Sequence, residues 1–313
     1  MKNKNRRAEN EDRRREKAEK WGVEFNGFVG RYTKDVQEDW KSSLGGTWFK
    51  VEEDGIQYAV LLNPGRAKRL AIKQRTDIKI PRIGESIQEY KDGKEHTNLF
   101  GEDYFPYYAL INIFPIDKGH VNLCYKEGNP NGSKNGKIER GELEAAMKFS
   151  IETGDFMWRN TENAGMTIDN WRHIQGIGLE LPIRYEKKEV IDRHNRIYYM
   201  PDYPGANILF EGEKNLGRVL SVTERLFNEK IGHPVVIDGE DIYVFAVKDE
   251  YAGNNEFKLA RESRIGGFEL AGHYVALNEE DFNRFAKGEL KIKQLLEKAL
   301  YSQKEKKLGN FVR

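Results

Sequence analysis

The chain has 313 residues, 38% of them hydrophobic and 33% charged, enough for one large domain or two modest ones with a busy polar surface. Lys and Arg number 52 against 51 Asp and Glu, so composition excludes a general attraction to nucleic acid or acidic membrane and leaves only local basic patches open. No stretch reaches the roughly 20 apolar residues of a membrane span, and no apolar signal core follows the N-terminal charges; the expectation is a cytoplasmic protein.

Residues 2–20, KNKNRRAENEDRRREKAEK, hold nine basic and five acidic residues and almost nothing apolar, which predicts a charged arm: a solvated helix or a loose segment. Folded sequence begins near Trp21. TWFKVEEDGIQYAVLLNP reads as a hairpin around Glu53-Asp54-Gly55. Arg66, Lys68 and Arg69 follow Pro64-Gly65; guanidinium forks suit phosphate oxygens, and an exposed loop edge is the other reading. Residues 76–100 read as loop. YYALINIFPIDKGHVNLCY predicts two strands joined by a turn at Pro115–Gly119, with His120 at the start of the second. The lone cysteine, Cys124, sits in the alternation VNLCY as a small buried hydrophobe; one thiol builds neither a disulfide nor a zinc cage. NPNGSKNG is a surface loop.

GELEAAMKFSIETG spaces Leu143, Met147 and Ile151 along one helix face, with Gly154 placed to end it. DFMWRN returns to strand, TENAGM turns, and IDNWRHIQGIGLELPI runs back as a strand. The pattern then starts again: strands at IRYEKKEVI and NRIYYM, a helix at EKNLGRVLSVTERLFNEK, a hairpin around Asp238-Gly239, a strand at FELAGHYVAL, and a helix capped by Asn278 and opened by three acids. GELKIKQLLEKALYSQKEKK is a last helix. The expected organisation is an arm over 1–20, a first half over 21–185 and a second over 186–313, with no repeat visible at the residue level.

The stretch 160–176, NTENAGMTIDNWRHIQG, concentrates chemistry. On a strand, Trp171, His173 and Gln175 share one face. Gly165 and Gly176 permit close approach of backbone or ligand. A neutral imidazole at His173 is a nucleophile toward phosphorus. Gln175 and the Thr167 hydroxyl are donors for the oxygens that gain charge during transfer, each worth about 3 kcal/mol at the transition state.

These residues resemble the active-site segment of the galactose-1-phosphate uridylyltransferase branch of the histidine-triad superfamily, which ends His-x-His-x-Gln. The resemblance places the nucleophile at His173 and its supporting glutamine at Gln175, with Asn160 on an upstream asparagine and Thr167 on a small or hydroxyl position. LLNPGRAKR, ALINIFPIDKGHVNL and GGFELAGHYVALNEEDFNRF follow in the same order, and they resemble the GDP-L-galactose phosphorylase group in particular. The resemblance implies an α+β, histidine-triad-like fold of two halves, each an antiparallel sheet with packed helices. It implies a nucleotidyltransferase of phosphorylase type. Its substrate would be a nucleoside diphosphate sugar or dinucleoside polyphosphate and its acceptor a phosphate or sugar phosphate, passing through a covalent nucleotidyl-histidine. The six histidines fall in no short metal-ligand spacing, so neither metal catalysis nor a cofactor is expected. Asn112 is implied at the base or ribose, and His273 at a phosphate or as packing. One position departs: the family's first histidine is Trp171 here, a ring for stacking rather than a hydrogen-bond acceptor. Two alternatives therefore stand: a hydrolase with water as acceptor, and a nucleotide- or RNA-binding protein without catalysis. A homodimer is compatible with the sequence. His96, His194 and His233 are read as incidental.

Overall fold

The computed structural model describes residues 12, 16–17, 19–22, 44, 46–65, 104, 106–112, 115–125, 137–161, 164, 173–248, 265–302 and 308–311. Strands β1 (Thr47–Glu53) and β2 (Ile56–Leu62) form the first hairpin. Asp54 and Gly55 both have positive φ, 52° and 84°, the geometry that lets a two-residue loop follow the strand twist. Strands β3 (Tyr107–Ile111) and β4 (Val121–Tyr125) flank the Pro115–Gly119 turn, and Cys124 is fully buried between neighbours.

Helix α1 (Arg140–Thr153) ends at Gly154, whose φ of 74° is the left-handed cap that glycine adopts without strain. Its buried face carries Leu143, Ala146, Met147 and Phe149; Ile151, expected on that face, is 41% exposed, because each four-residue step overshoots a full turn by about 40° and two steps carry it about 80° round the helix. Strands β5 (Phe156–Arg159) and β6 (His173–Ile177) follow. Pro182–Tyr185, expected as the end of one strand and the start of the next, forms a 3-10 turn with proline in its first turn, and the next strand is delayed to β7 (Glu189–Asp192).

Strands β8 (Ile197–Tyr199) and β9 (Asn207–Phe210) precede helix α2 (Leu216–Asn228), then β10 (Val235–Asp238) and β11 (Asp241–Phe245) make the second hairpin. Strand β9 was not expected from the sequence: NILF is a short, wholly buried run with no alternation to mark it.

These strands form one nine-stranded sheet in the order β3-β4-β6-β5-β10-β11-β9-β8-β7. Outward from its centre the order is β5, β6, β4, β3 on one side and β10, β11, β9, β8 on the other. The chain thus lays down strand–strand–helix–strand–strand twice, and the two units join where β5 pairs with β10, Trp158 beside Val236. One face of the sheet packs on α1 and α2 through Leu123, Met157, Ile174, Val219, Val235 and Val244.

The opposite face meets a second layer. Helix α3 (Gly267–Leu270), strand β12 (His273–Ala276), α4 (Glu279–Ala286) and α5 (Ile292–Ala299) lie there with a three-stranded sheet, β1-β2-β12, in which β12 runs parallel to β2. FELAGHYVAL is accordingly a helical turn followed by a strand, separated by Gly272 at φ 95°. Asn278 caps α4 through Oδ1, which accepts from Asp281 N–H at 2.7 Å. Helix α5 is capped from afar: the Glu53 carboxylate accepts the N–H groups of Ile292 and Lys293, both at 2.8 Å. No helix among the described residues is long and apolar enough to cross a membrane.

Candidate active site

Strand β6 lies between β4 and β5, and its period of two turns His173, Gln175 and Ile177 toward the second layer while Ile174 enters the core under α1. His173 sits across from Cys124 and is 7% exposed. Gln175 lies between Asn122 on β4 and Trp158 on β5. The glycine that follows is needed for packing: a Cβ on Gly176 would lie 2.2 Å from the Met157 sulfur. The close approach anticipated at this glycine is thus to a neighbouring side chain.

Residues from the Pro115–Gly119 turn complete the cluster. The Ile116 N–H donates to His120 Nδ1 at 3.0 Å, so the neutral ring carries its proton on Nε2. That nitrogen is 3.1 Å from Gln175 Oε1, which must accept. The amide of Gln175 is therefore oriented, oxygen toward His120 and NH2 turned away from it. Asn112 Nδ2 lies 3.2 Å from His120 Nε2, and its proton goes to Asn122 Oδ1, also at 3.2 Å. The His120 ring faces Trp158, centroids 5.4 Å apart. The sequence marks His120 only as a structural residue at a strand start. It stands 55 residues before Gln175, a distance that carries no signal, and the β4–β6 pairing brings them together.

Asn160, at the end of β5, accepts the Gly267 N–H on Oδ1 at 2.8 Å, which ties the second-layer turn to the site strand. The fit is close: a Cβ on Gly267 would come within 2.6 Å of the Trp158 Cβ. Behind Asn160, the buried Arg159 guanidinium donates Nε–H to the buried Glu142 carboxylate at 3.3 Å and also bonds the Asn160 carbonyl. Neither member of this pair stood out in the sequence, since single charged residues in a helix and a strand read as surface.

His273 belongs to an aromatic nest. Its ring stacks on Phe156 and Phe268, both at 5.1 Å, with Trp48 edge-on at 5.8 Å. It is 2% exposed, and Nδ1 makes no hydrogen bond among the described residues. Burial pushes its pKa down to about 3, against small upward effects from a hydrogen bond to the Glu180 backbone and from the Glu180 charge. Of its two readings the environment matches packing, since a neutral ring has no charge to offer a phosphate. His233 is buried with Nδ1 on the Ile231 carbonyl at 2.7 Å. Arg66, Lys68, Arg69, Gly165, Thr167 and Trp171 lie outside the described residues.

The arrangement offers an imidazole and, two residues on, an amide oriented by a hydrogen-bonded histidine, on one face of a strand paired on both sides. No protein-family model matches the sequence, and no curated protein is significantly similar to it. The fold has solved counterparts. Crystal structures of yeast Ap4A phosphorylase Apa2 superpose on it, alone with a TM-score of 0.59 and 14% identity over 88% of this chain and 96% of that one. In complex with Ap4A the values are 0.63 and 14%, over 92% and 97%. In complex with AMP they are 0.57 and 13%, over 90% and 95%. The fold is histidine-triad-like α+β. At this identity the likeness concerns the fold, and a fold alone does not carry chemistry.

Proposed function

We propose that this protein is a phosphorylase-type nucleotidyltransferase acting on a dinucleoside polyphosphate or a nucleoside diphosphate sugar through His173. The observation that carries the reading is the placement of His173 and Gln175 on one face of β6, with the Gln175 oxygen held by His120. In the first step a neutral His173 nitrogen attacks the α-phosphorus. The P–N bond forms as the bond from phosphorus to the bridging oxygen breaks, and the remainder leaves as a phosphorylated product. In the second, an oxygen of the acceptor phosphate attacks the same phosphorus, breaks the P–N bond and returns the imidazole. Charge grows on the nonbridging oxygens in both steps, and the Gln175 NH2 is the donor on this face to receive it. Thr167 is assigned a second donor, Trp171 a stacking surface for base or sugar, and Gly165 the close approach of the ligand. Arg66, Lys68 and Arg69 are assigned to the polyphosphate, and Asn112 to the nucleoside side.

Dinucleoside polyphosphates are supported by the whole-chain likeness to an Ap4A phosphorylase, and nucleotide sugars by the sequence resemblance to the GDP-L-galactose phosphorylase group. The test incubates the protein with Ap4A and with GDP-, UDP- and ADP-sugars, with and without phosphate. An acid-labile nucleotidyl adduct on His173 that is absent in His173→Ala is expected, and unaltered turnover in that variant would refute the assignment. Labelled phosphate in the product separates phosphorolysis from hydrolysis. A second reading, nucleotide binding without chemistry, draws on the 7% exposure of His173; it predicts no adduct and equal nucleotide affinity in His173→Ala.

A further inference from the structure

The end of the N-terminal arm and the residue that follows it hold two side chains that are not on the surface. Lys17 is 4% exposed and Trp21 1%; residues 16–17 and 19–22 are helical, and the two stand four apart and so on one face. For Lys17 this departs from the solvated arm expected from composition. The Lys17 ammonium pairs with Asp155, itself fully buried. The Trp21 indole N–H donates to the His120 carbonyl at 2.8 Å. The rest of the Trp21 ring enters the core beneath α1.

The two anchors have a shared geometry. His120 immediately precedes β4, and Asp155 immediately precedes β5. Those are the two strands that flank β6. Val121 pairs with Gly176 and Phe156 with Ile177, so both anchors sit at the same end of the candidate nucleophile strand, one on each side. His120 is held within its own neighbourhood by its N–H to Asp117 O, its ring to Ile116 N–H and its carbonyl to Asn112 N–H. The indole adds a hold from a distant part of the chain, on the residue whose ring orients Gln175.

We propose that the helical segment carrying Lys17 and Trp21 is a strap that fixes β4 and β5 against β6, and that Trp21 is a positioning residue acting on Gln175 through His120. A buried lysine without its carboxylate is strongly disfavoured, so the Lys17–Asp155 pair sets where the strap docks. The indole N–H then fixes the His120 backbone from a direction its own turn does not supply. The strap needs both anchors: one on a single strand would leave β6 held on one side.

The experiment uses the full chain and compares Trp21→Phe, which keeps an apolar ring and loses the N–H, with Val219→Ala, a core change under the second unit. Peptide-resolved hydrogen exchange is read over 173–177 and over 235–245. Trp21→Phe should speed exchange in 173–177 about five- to tenfold relative to 235–245, the scale of one net hydrogen bond; Val219→Ala should not favour 173–177. Lys17→Gln should reproduce the β6 effect and Lys17→Arg should restore protection, which keeps the test decisive if Trp21→Phe does not fold. Equal acceleration of both peptides in the strap variants, or none in either, overturns the proposal. The turnover arm rests on the function proposed above: kcat should fall with KM unchanged in Trp21→Phe. A wild-type protein that turns over none of the donors would remove that function, while the exchange data would still decide the strap.

Discussion

Replacing His273 by phenylalanine separates packing from protonation. The native imidazole is held neutral, its pKa pushed by burial from the usual 6.5 to about 3, while the unfolded chain takes up a proton below 6.5. For a base with a lowered folded pKa, the unfolded state binds more protons as pH falls. The contribution is therefore fully present above 6.5 and is lost progressively between 6.5 and about 3. The whole gap is worth about 5 kcal/mol, and about 2 kcal/mol is already lost at pH 5. Phenylalanine keeps the stacking on Phe156 and Phe268 at 5.1 Å and binds no proton. It gives up the hydrogen bond to the Glu180 backbone, about 1 kcal/mol at pH 8, where the wild type should be the more stable. Urea unfolding followed by tryptophan fluorescence at pH 8, 6.5 and 5 measures the difference. The variant should gain about 2 kcal/mol on the wild type between pH 8 and 5. Parallel pH profiles, within about 0.5 kcal/mol, would show that His273 charges freely in the folded protein, and the phosphate contact would return as its role.

Burial and the nearby Glu211 and Asp238 raise the Asp241 pKa from 3.8 to about 6, so its folded form resists ionising and stability falls as pH rises from 4 to 6; Asp241→Asn should recover up to about 3 kcal/mol at pH 8 and little at pH 4, checked by urea titration at both. Glu142→Gln removes the carboxylate that accepts the buried Arg159 Nε–H and should cost about 3–5 kcal/mol in chemical denaturation, an effect absent if the guanidinium reaches water. Gly267→Ala meets the Trp158 Cβ at 2.6 Å and should cost about 1–3 kcal/mol while exposing the Asn160 end of β5, read as faster exchange at residues 156–161. Gln175→Ala should lower kcat on the accepted donor about a hundredfold with KM changed less than about threefold; a pure KM effect would make this amide a ground-state binder.

Local chemistry made much of the fold legible. The Asp54-Gly55 and Asp238-Gly239 turns, the Gly154 cap and the Asn278 cap are decided within a few residues, and each is found where its sequence signal stands. What depends on pairing was not legible. NILF carries no periodicity, and β12 had to be placed beside β2 before FELAGHYVAL could be divided into a turn and a strand. The doubled unit is invisible in side chains because its shared feature is backbone order, which many sequences satisfy. At the site, two-residue spacing put His173 and Gln175 on one face, but His120 joins them only through strand register. The Lys17 contact is the plainest miss: a lysine amid charges reads as solvated until its carboxylate partner, 138 residues away, is seen.

The parallel pairing of β12 with β2 sets His273 beside Ala59, two-thirds of the chain apart. During synthesis the first hairpin leaves the ribosome long before its third strand exists, and one edge of that hairpin waits without a partner. The turn that docks on Asn160 belongs to the same late segment. Formation of the candidate site is thereby tied to synthesis of residues 266–276, and a chain terminated before them would carry His173 without the α3–β12 part of the layer that faces it.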